Sequence, residues 1–195
     1  MWFAGVDLSS SEKKPTYVAL LDENLTARVF GLSTDEEIHE ALSSVRPMYT
    51  GIDAPLSLPS KSRIRGCEKV LISLGIRFFP PTMPSMLSLT LRGMRLRSLL
   101  EEAGLSILEV YPGGSQDVLC LPRSKRSLAG LEHGLRALGV KLPTGRLTGD
   151  ALDAVTAAYT AFLYWSGDYL RLASEDCSLI LPIPRCLPRI PTRRH

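Results

Sequence analysis

Long hydrophobic runs are missing from this sequence. No stretch approaches the roughly 18 uninterrupted apolar residues of a membrane span, and Met1-Trp2-Phe3-Ala4 leads straight into a strand with neither a basic n-region nor a cleavage site. The expected address is the cytoplasm, with no membrane partner. Cysteine is sparse and unpatterned: Cys67, Cys120, Cys177 and Cys186 form no CxxC pair, which excludes the paired spacing of a structural zinc site. The four are expected to be small buried packing residues, a Cys177 to Cys186 disulfide being the minority case in a reducing compartment. Histidine is scarcer still. His39 falls on the polar side of a helix, His133 precedes Gly134 and His195 is the last residue, so Ser9 or Ser57 has no base to activate it as a nucleophile. A Gly-rich phosphate loop and internal repeats are also missing. The net charge of +3 is too small to imply a nucleic-acid partner by itself.

What is present suits an ordinary globular α/β protein. Of the 195 residues, 45% are hydrophobic and 22% charged, enough apolar surface for one domain with a real core. The basic residues are grouped: Lys61, Arg63, Arg65 and Lys69; Arg92, Arg95 and Arg97; Arg123, Lys125 and Arg126. Each group taken singly reads as solvated surface.

Residues 2–9 and 16–22 are β-forming apolar runs, and Asp22-Glu23-Asn24 makes a hairpin turn into a third run, LTARVFGL. Thr34 and Glu37 form a capping box for a helix over 34–45, after which YTGID (49–53) should return parallel to the first strand. Residues 54–86 are rich in Pro, Ser and basic side chains, with one helix near 66–74, and suggest an inserted cover over a site. A helix over 87–103, a strand SILEV (106–110) stopped by Pro112, and helices over 128–138 and 150–165 follow, then a short strand SLIL. Residues 182–195 alternate prolines with arginines and should form an extended tail. The expected organisation is a single domain over 1–181 followed by that tail.

Asp7 and Asp53 interrupt apolar runs at the ends of two neighbouring strands, where sites in parallel sheets lie. A buried carboxylate is costly unless a cation or hydrogen bonds compensate. Neighbouring strands are about 4.8 Å apart, so two such acids can share a cation. In GDALDA, Asp150 and Asp153 lie three residues apart on one side of a helix; Asp150 sits where carboxylates cap, whereas Asp153 is a turn inside and is better placed as a ligand. Glu109 in LEVYP is a further candidate, competing with a salt bridge to an arginine.

GVDLS, IDAPLSLP, RGMRL, LEVYP and LTGDALDAVTAAYTA occur in that order. Over about residues 3–182 the chain resembles domain-of-unknown-function family 429 (DUF429), a family of predicted ribonuclease-H-like nucleases. The resemblance implies a central sheet of three antiparallel and two parallel strands, flanked by helices. It implies carboxylates that bind Mg²⁺ or Mn²⁺, with Asp7 on the first strand, Asp53 on the fourth, Asp153 on the last helix, Asp150 its neighbour, and Glu109 the EVYP acid. The glutamate that ribonuclease H carries on its first helix has no clear counterpart; Glu36, Glu37 and Glu40 lie there and look solvent-facing.

The functional expectation is a divalent-metal nuclease in which Asp7, Asp53 and Asp153 are catalytic and nucleic acid is the partner. Arg92, Arg95, Lys61, Arg63 and Arg65 would neutralise substrate phosphates. Two alternatives use the same fold: a non-catalytic module that binds nucleic acid or protein, and a nucleotide-dependent phosphotransferase. The second is disfavoured by the missing second domain and phosphate loop.

Overall fold

The structure, a computed structural model, describes residues 1–186. Its strands are β1 (Trp2–Asp7), β2 (Thr16–Asp22), β3 (Ala27–Leu32), β4 (Thr50–Asp53), β5 (Ile107–Val110), β6 (Tyr169–Ala173) and β7 (Ser178–Pro182). Its helices are α1 (Asp35–Val45), α2 (Gly66–Ser73), α3 (Pro84–Glu102), α4 (Pro112–Val118), α5 (Leu128–Ala137) and α6 (Gly149–Ser166). The strands form one sheet in the order β3-β2-β1-β4-β5-β7-β6. β1 to β3 form an antiparallel meander, β4 returns parallel to β1 after the α1 crossover, and β5 and β7 continue parallel. β6 closes the edge antiparallel to β7.

The sheet therefore has seven strands rather than the expected five. The short strand expected at SLIL joins the sheet as β7, and β6 is the strand without an expectation: YLRLA follows Gly167, whose αL conformation ends α6, and pairs back onto SLILP. α3 begins at Pro84, and the unexpected α4 begins at Pro112. In both cases proline occupies the first helical position, where its missing N–H costs nothing. α1 carries the predicted capping box: Thr34 Oγ1 accepts from Glu37 N at 3.1 Å and Glu37 Oε2 accepts from Thr34 N at 3.2 Å.

Alternation along β1 decides what each face meets. Ala4, Val6 and Leu8 point to a core with Ile38 and Leu42 of α1 and Leu96 and Leu100 of α3. Phe3 points the other way, into a core with Leu152, Val155 and Ala158 of α6 and Leu131 of α5. Gly5 and Asp7 share the Phe3 face, and across the pair they meet Gly51 and Asp53 of β4. The two glycines are why α6 sits so low. A Cβ on Gly5 would stand 2.1 Å from Ala154 O, and one on Gly51 would stand 2.9 Å from Ala157 O. The helix backbone thus lies almost on the sheet, one turn beyond Asp150 and Asp153.

All four cysteines are paired, correcting the expectation of free packing residues. Cys67 of α2 bonds to Cys177, just before β7, and Cys120, just after α4, bonds to Cys186. Cys177 and Cys186 are therefore not partners. At the start of the tail, Arg185 N and Cys186 N both donate to Val118 O; the rest of the expected extended tail, 187–195, lies outside the described residues. Among the described residues no helix is long and apolar enough to cross a membrane.

Candidate metal centre

Asp7 and Asp53 end β1 and β4 in direct register, with side chains on the face that α6 covers. From α6, Asp153 and Asp150 approach the same strand ends. One carboxylate oxygen each from Asp7, Asp150 and Asp153 lie within 4.8 Å of one another. Asp150 is not the cap of its helix: Thr148 takes that role, its Oγ1 accepting from Ala151 N at 3.1 Å, which leaves the Asp150 carboxylate exposed beside Asp7. Both oxygens of Asp153 are held, one by Gln116 Nε2 at 2.6 Å and the other by Ser124 Oγ at 2.8 Å. Gln116 is buried on α4, and its Oε1 has no hydrogen-bond partner.

So many acids in a half-buried place disturb each other. Burial, followed by the charges of Asp53, Asp153 and Asp150, pushes the Asp7 carboxyl up to about 9, against the opposing pull of Lys125. Burial and then Asp153 push Asp53 up to about 8, with Lys125 again opposing. Asp153 is also raised, chiefly by burial, although its hydrogen bonds from Gln116 and Ser124 resist the shift. Two hollows flank the carboxylates. One of about 340 Å³ is lined by Asp7, Ser9, Lys14 and Asp150; a narrow one of about 90 Å³ reaches Asp53 between Phe78, Phe79 and Tyr111.

The family described as "Protein of unknown function (DUF429)" matches residues 5–177. The chain belongs to the DUF429 family. No curated protein matches this DUF429 chain in sequence. Among solved structures it is similar to Thermus thermophilus RuvC in complex with Holliday junction substrate, at a TM-score of 0.54 and 14% identity, covering 86% of this chain and 96% of that one. It is likewise similar to a second Thermus thermophilus RuvC structure, at a TM-score of 0.51 and 14% identity, covering 86% of this chain and 97% of that one. At this identity the likeness is one of fold: this DUF429 chain has the ribonuclease-H-like fold.

Glu109 does not join the cluster. In β5 it pairs with Ile52, one register step below Asp53, and so points to the opposite face. There it accepts from Leu56 N at 2.9 Å and meets Arg65, with Arg65 Nη1 to Oε2 at 2.8 Å and Nη2 to Oε1 at 2.5 Å. Arg65 also binds Glu68, Nε to Oε1 at 2.9 Å, and is 2% exposed, so this guanidinium has no face left for a phosphate. It clamps the segment after β4 onto β5.

Arg92 is likewise structural. It is buried on α3 and donates to Asp35 Oδ1 at 2.8 Å, Ser9 O at 2.9 Å and Ser33 O at 2.9 Å, tying α3 to the loop after β1 and to the start of α1. Arg95, 72% exposed, lies only 3.7 Å from Asp35 Oδ2. Lys61 is exposed but lines a hollow with Ser174, Glu175 and Asp176, before the start of β7 and away from the carboxylates. The Arg63 side chain is exposed, and its carbonyl accepts from Thr82 Oγ1 at 2.9 Å.

Three residues of the site escaped the sequence reading as members of it: Gln116, Ser124 and Lys125. In the sequence Lys125 is visible only as part of the basic group Arg123, Lys125 and Arg126. Gln116 carried no signal, because the helix that buries it was itself unexpected.

Proposed function

We propose that this DUF429 chain is a divalent-cation-dependent nuclease, in which Asp7, Asp53 and Asp153, with Asp150 beside them, hold Mg²⁺ or Mn²⁺ for hydrolysis of phosphodiester bonds in DNA or RNA. The observation that carries the reading is the convergence of three carboxylates, Asp7, Asp150 and Asp153, with Asp53 outside that group but in register beside Asp7, at a place where burial and mutual repulsion oppose ionisation of Asp7 and Asp53. Folding alone gives no reason to assemble such a group, and a cation offsets both penalties. The donor set is all carboxylate oxygen, which suits hard cations.

When bound, the cation supplies Lewis acidity toward the phosphate and lowers the pKa of an attacking water. The residues of the chain do the rest. Gln116 and Ser124 fix the orientation of Asp153, and Lys125 offsets part of the negative charge. Exposed Arg63 and Arg95 remain available for backbone phosphates, a sequence-independent contact that weakens with salt. That nucleic acid is the substrate class is supported by the fold shared with RuvC, which has been solved in complex with Holliday junction substrate.

The test is cleavage of labelled single-stranded DNA, duplex, RNA, hybrid and four-way junction with Mn²⁺, Mg²⁺ or EDTA, alongside Asp7→Asn. Cation-dependent cleavage lost in Asp7→Asn is the expected result. Binding without cleavage, unchanged in Asp7→Asn, would identify a binding module instead.

A further inference from the structure

Beside Asp53 lies an aromatic surface whose half-buried members, Phe78 and Tyr111, pack against the core under α2, and whose outer member, Phe79, does not. Phe79 is 63% exposed and Ile72 58% exposed. Both line an open hollow of about 620 Å³ together with Phe78, Tyr111, Arg77 and Arg123, within the range of small-ligand sites. Phe78, Phe79 and Tyr111 also line the narrow hollow that reaches Asp53, so the aromatic wall runs from open solvent to the carboxylate.

One end of that wall is rigid. Tyr111 OH donates to Arg77 O at 2.6 Å and accepts from Arg123 Nη1 at 3.0 Å. Arg123 lies 5.5 Å from the centre of the Tyr111 ring and is anchored to Asp117, Nε to Oδ1 at 3.0 Å. Phe79, at the other end, offers its ring to solvent. A flat apolar face bordered by guanidinium groups is the chemistry that holds an unpaired nucleobase, by stacking on the ring and by charge on the adjoining phosphate. Paired bases keep their faces inside the stack and present only edges in the grooves, so a duplex cannot use this wall.

We propose that Phe79, with Phe78 and Tyr111, binds an unpaired nucleobase of the substrate next to Asp53, so that the substrate class is single-stranded or locally unpaired nucleic acid; this rests on the nuclease reading of the carboxylates. Arg77 faces the phosphate side of that nucleotide.

Binding is measured in EDTA, where cleavage plays no part, with the full chain and an oligonucleotide carrying 2-aminopurine, either as a single strand or within a duplex. Stacking on an aromatic ring quenches this base. The expected result is quenching and tighter binding of the single strand, a loss of about tenfold in that affinity in Phe79→Ala, and retention in Phe79→Tyr. Duplex affinity and thermal unfolding stay unchanged in Phe79→Ala, because the ring is exposed. Equal binding of single strand and duplex, or a Phe79→Ala effect that is nil or the same on both, overturns the proposal. An apolar peptide competing for the wall while the single strand does not bind overturns it as well. The two readings fail separately: cleavage lost in Asp7→Asn without any Phe79 dependence sinks only the base site. Phe79-dependent binding of single strands without cation-dependent cleavage sinks only the nuclease.

Discussion

Gly5 and Gly51 face each other across the β1–β4 pair, two residues before Asp7 and Asp53, and the α6 backbone rests on both. The absence of two side chains is what lets Asp153 reach the strand ends. Gly5→Ala would place a Cβ 2.1 Å from Ala154 O, and backbone cannot yield as a side chain can. It should cost about 3 kcal/mol or more, at the upper end of overpacking. Gly51→Ala, 2.9 Å from Ala157 O, should cost about 1–3 kcal/mol. Urea unfolding midpoints check both, and equal stability with wild type would refute the close approach.

Arg65 neutralises two buried acids, Glu68 and Glu109. Arg65→Met leaves both unpaired, and the expected loss is about 3–5 kcal/mol. A phosphate-binding arginine would behave otherwise, lowering nucleic-acid affinity at unchanged stability. Unfolding curves and binding isotherms on one preparation separate the roles.

Asp7 and Asp53 have folded-state pKa values raised to about 9 and about 8 from 3.8. A carboxyl raised in the folded state contributes stability that is fully present below its unfolded pKa and lost as pH rises through its folded pKa. Without divalent cation, their contribution to stability therefore falls from about pH 4 to about pH 9. Asp7→Asn removes one of these groups. It should flatten that fall and, at pH 9, leave the cation-free protein about 0.5–2 kcal/mol more stable than wild type. Urea midpoints at pH 6 and pH 9 in EDTA give the comparison, and a variant no more stable at the higher pH would contradict the raised pKa.

The disulfides close long loops, Cys67 to Cys177 over 110 residues and Cys120 to Cys186 over 66. Each should contribute about 2–5 kcal/mol, largely by restricting the unfolded chain. Peptide mapping without reductant should return these two pairs. Dithiothreitol should lower the melting temperature of wild type but not that of a chain with all four cysteines changed to serine.

The parts of the molecule written in local pattern were readable from sequence. Asp7 and Asp53 stand out because each ends an apolar run, and the α6 stripe placed Asp153 beside the core. What was missed depends on register or on distant partners. Glu109 differs from Asp53 by one step of alternation, which only the pairing Ile52 with Glu109 reveals. Arg65 and Arg92 look like surface charge until Glu109 and Asp35, 44 and 57 residues away, are seen to bury them. Pro112-Gly113-Gly114 looks like a break, yet Pro112 starts the helix that delivers Gln116 to Asp153. The cysteine pairs join residues 110 and 66 positions apart and have no local spacing to read.

The cation site is the claim on which the rest depends, and Mn²⁺ binding followed by electron paramagnetic resonance at pH 8 tests it directly. Wild type is predicted to remove at least one Mn²⁺ per chain from the free signal, and Asp7→Asn to leave that signal intact. Wild type that leaves all Mn²⁺ free, or binds it as well without the Asp7 carboxylate, would contradict the account.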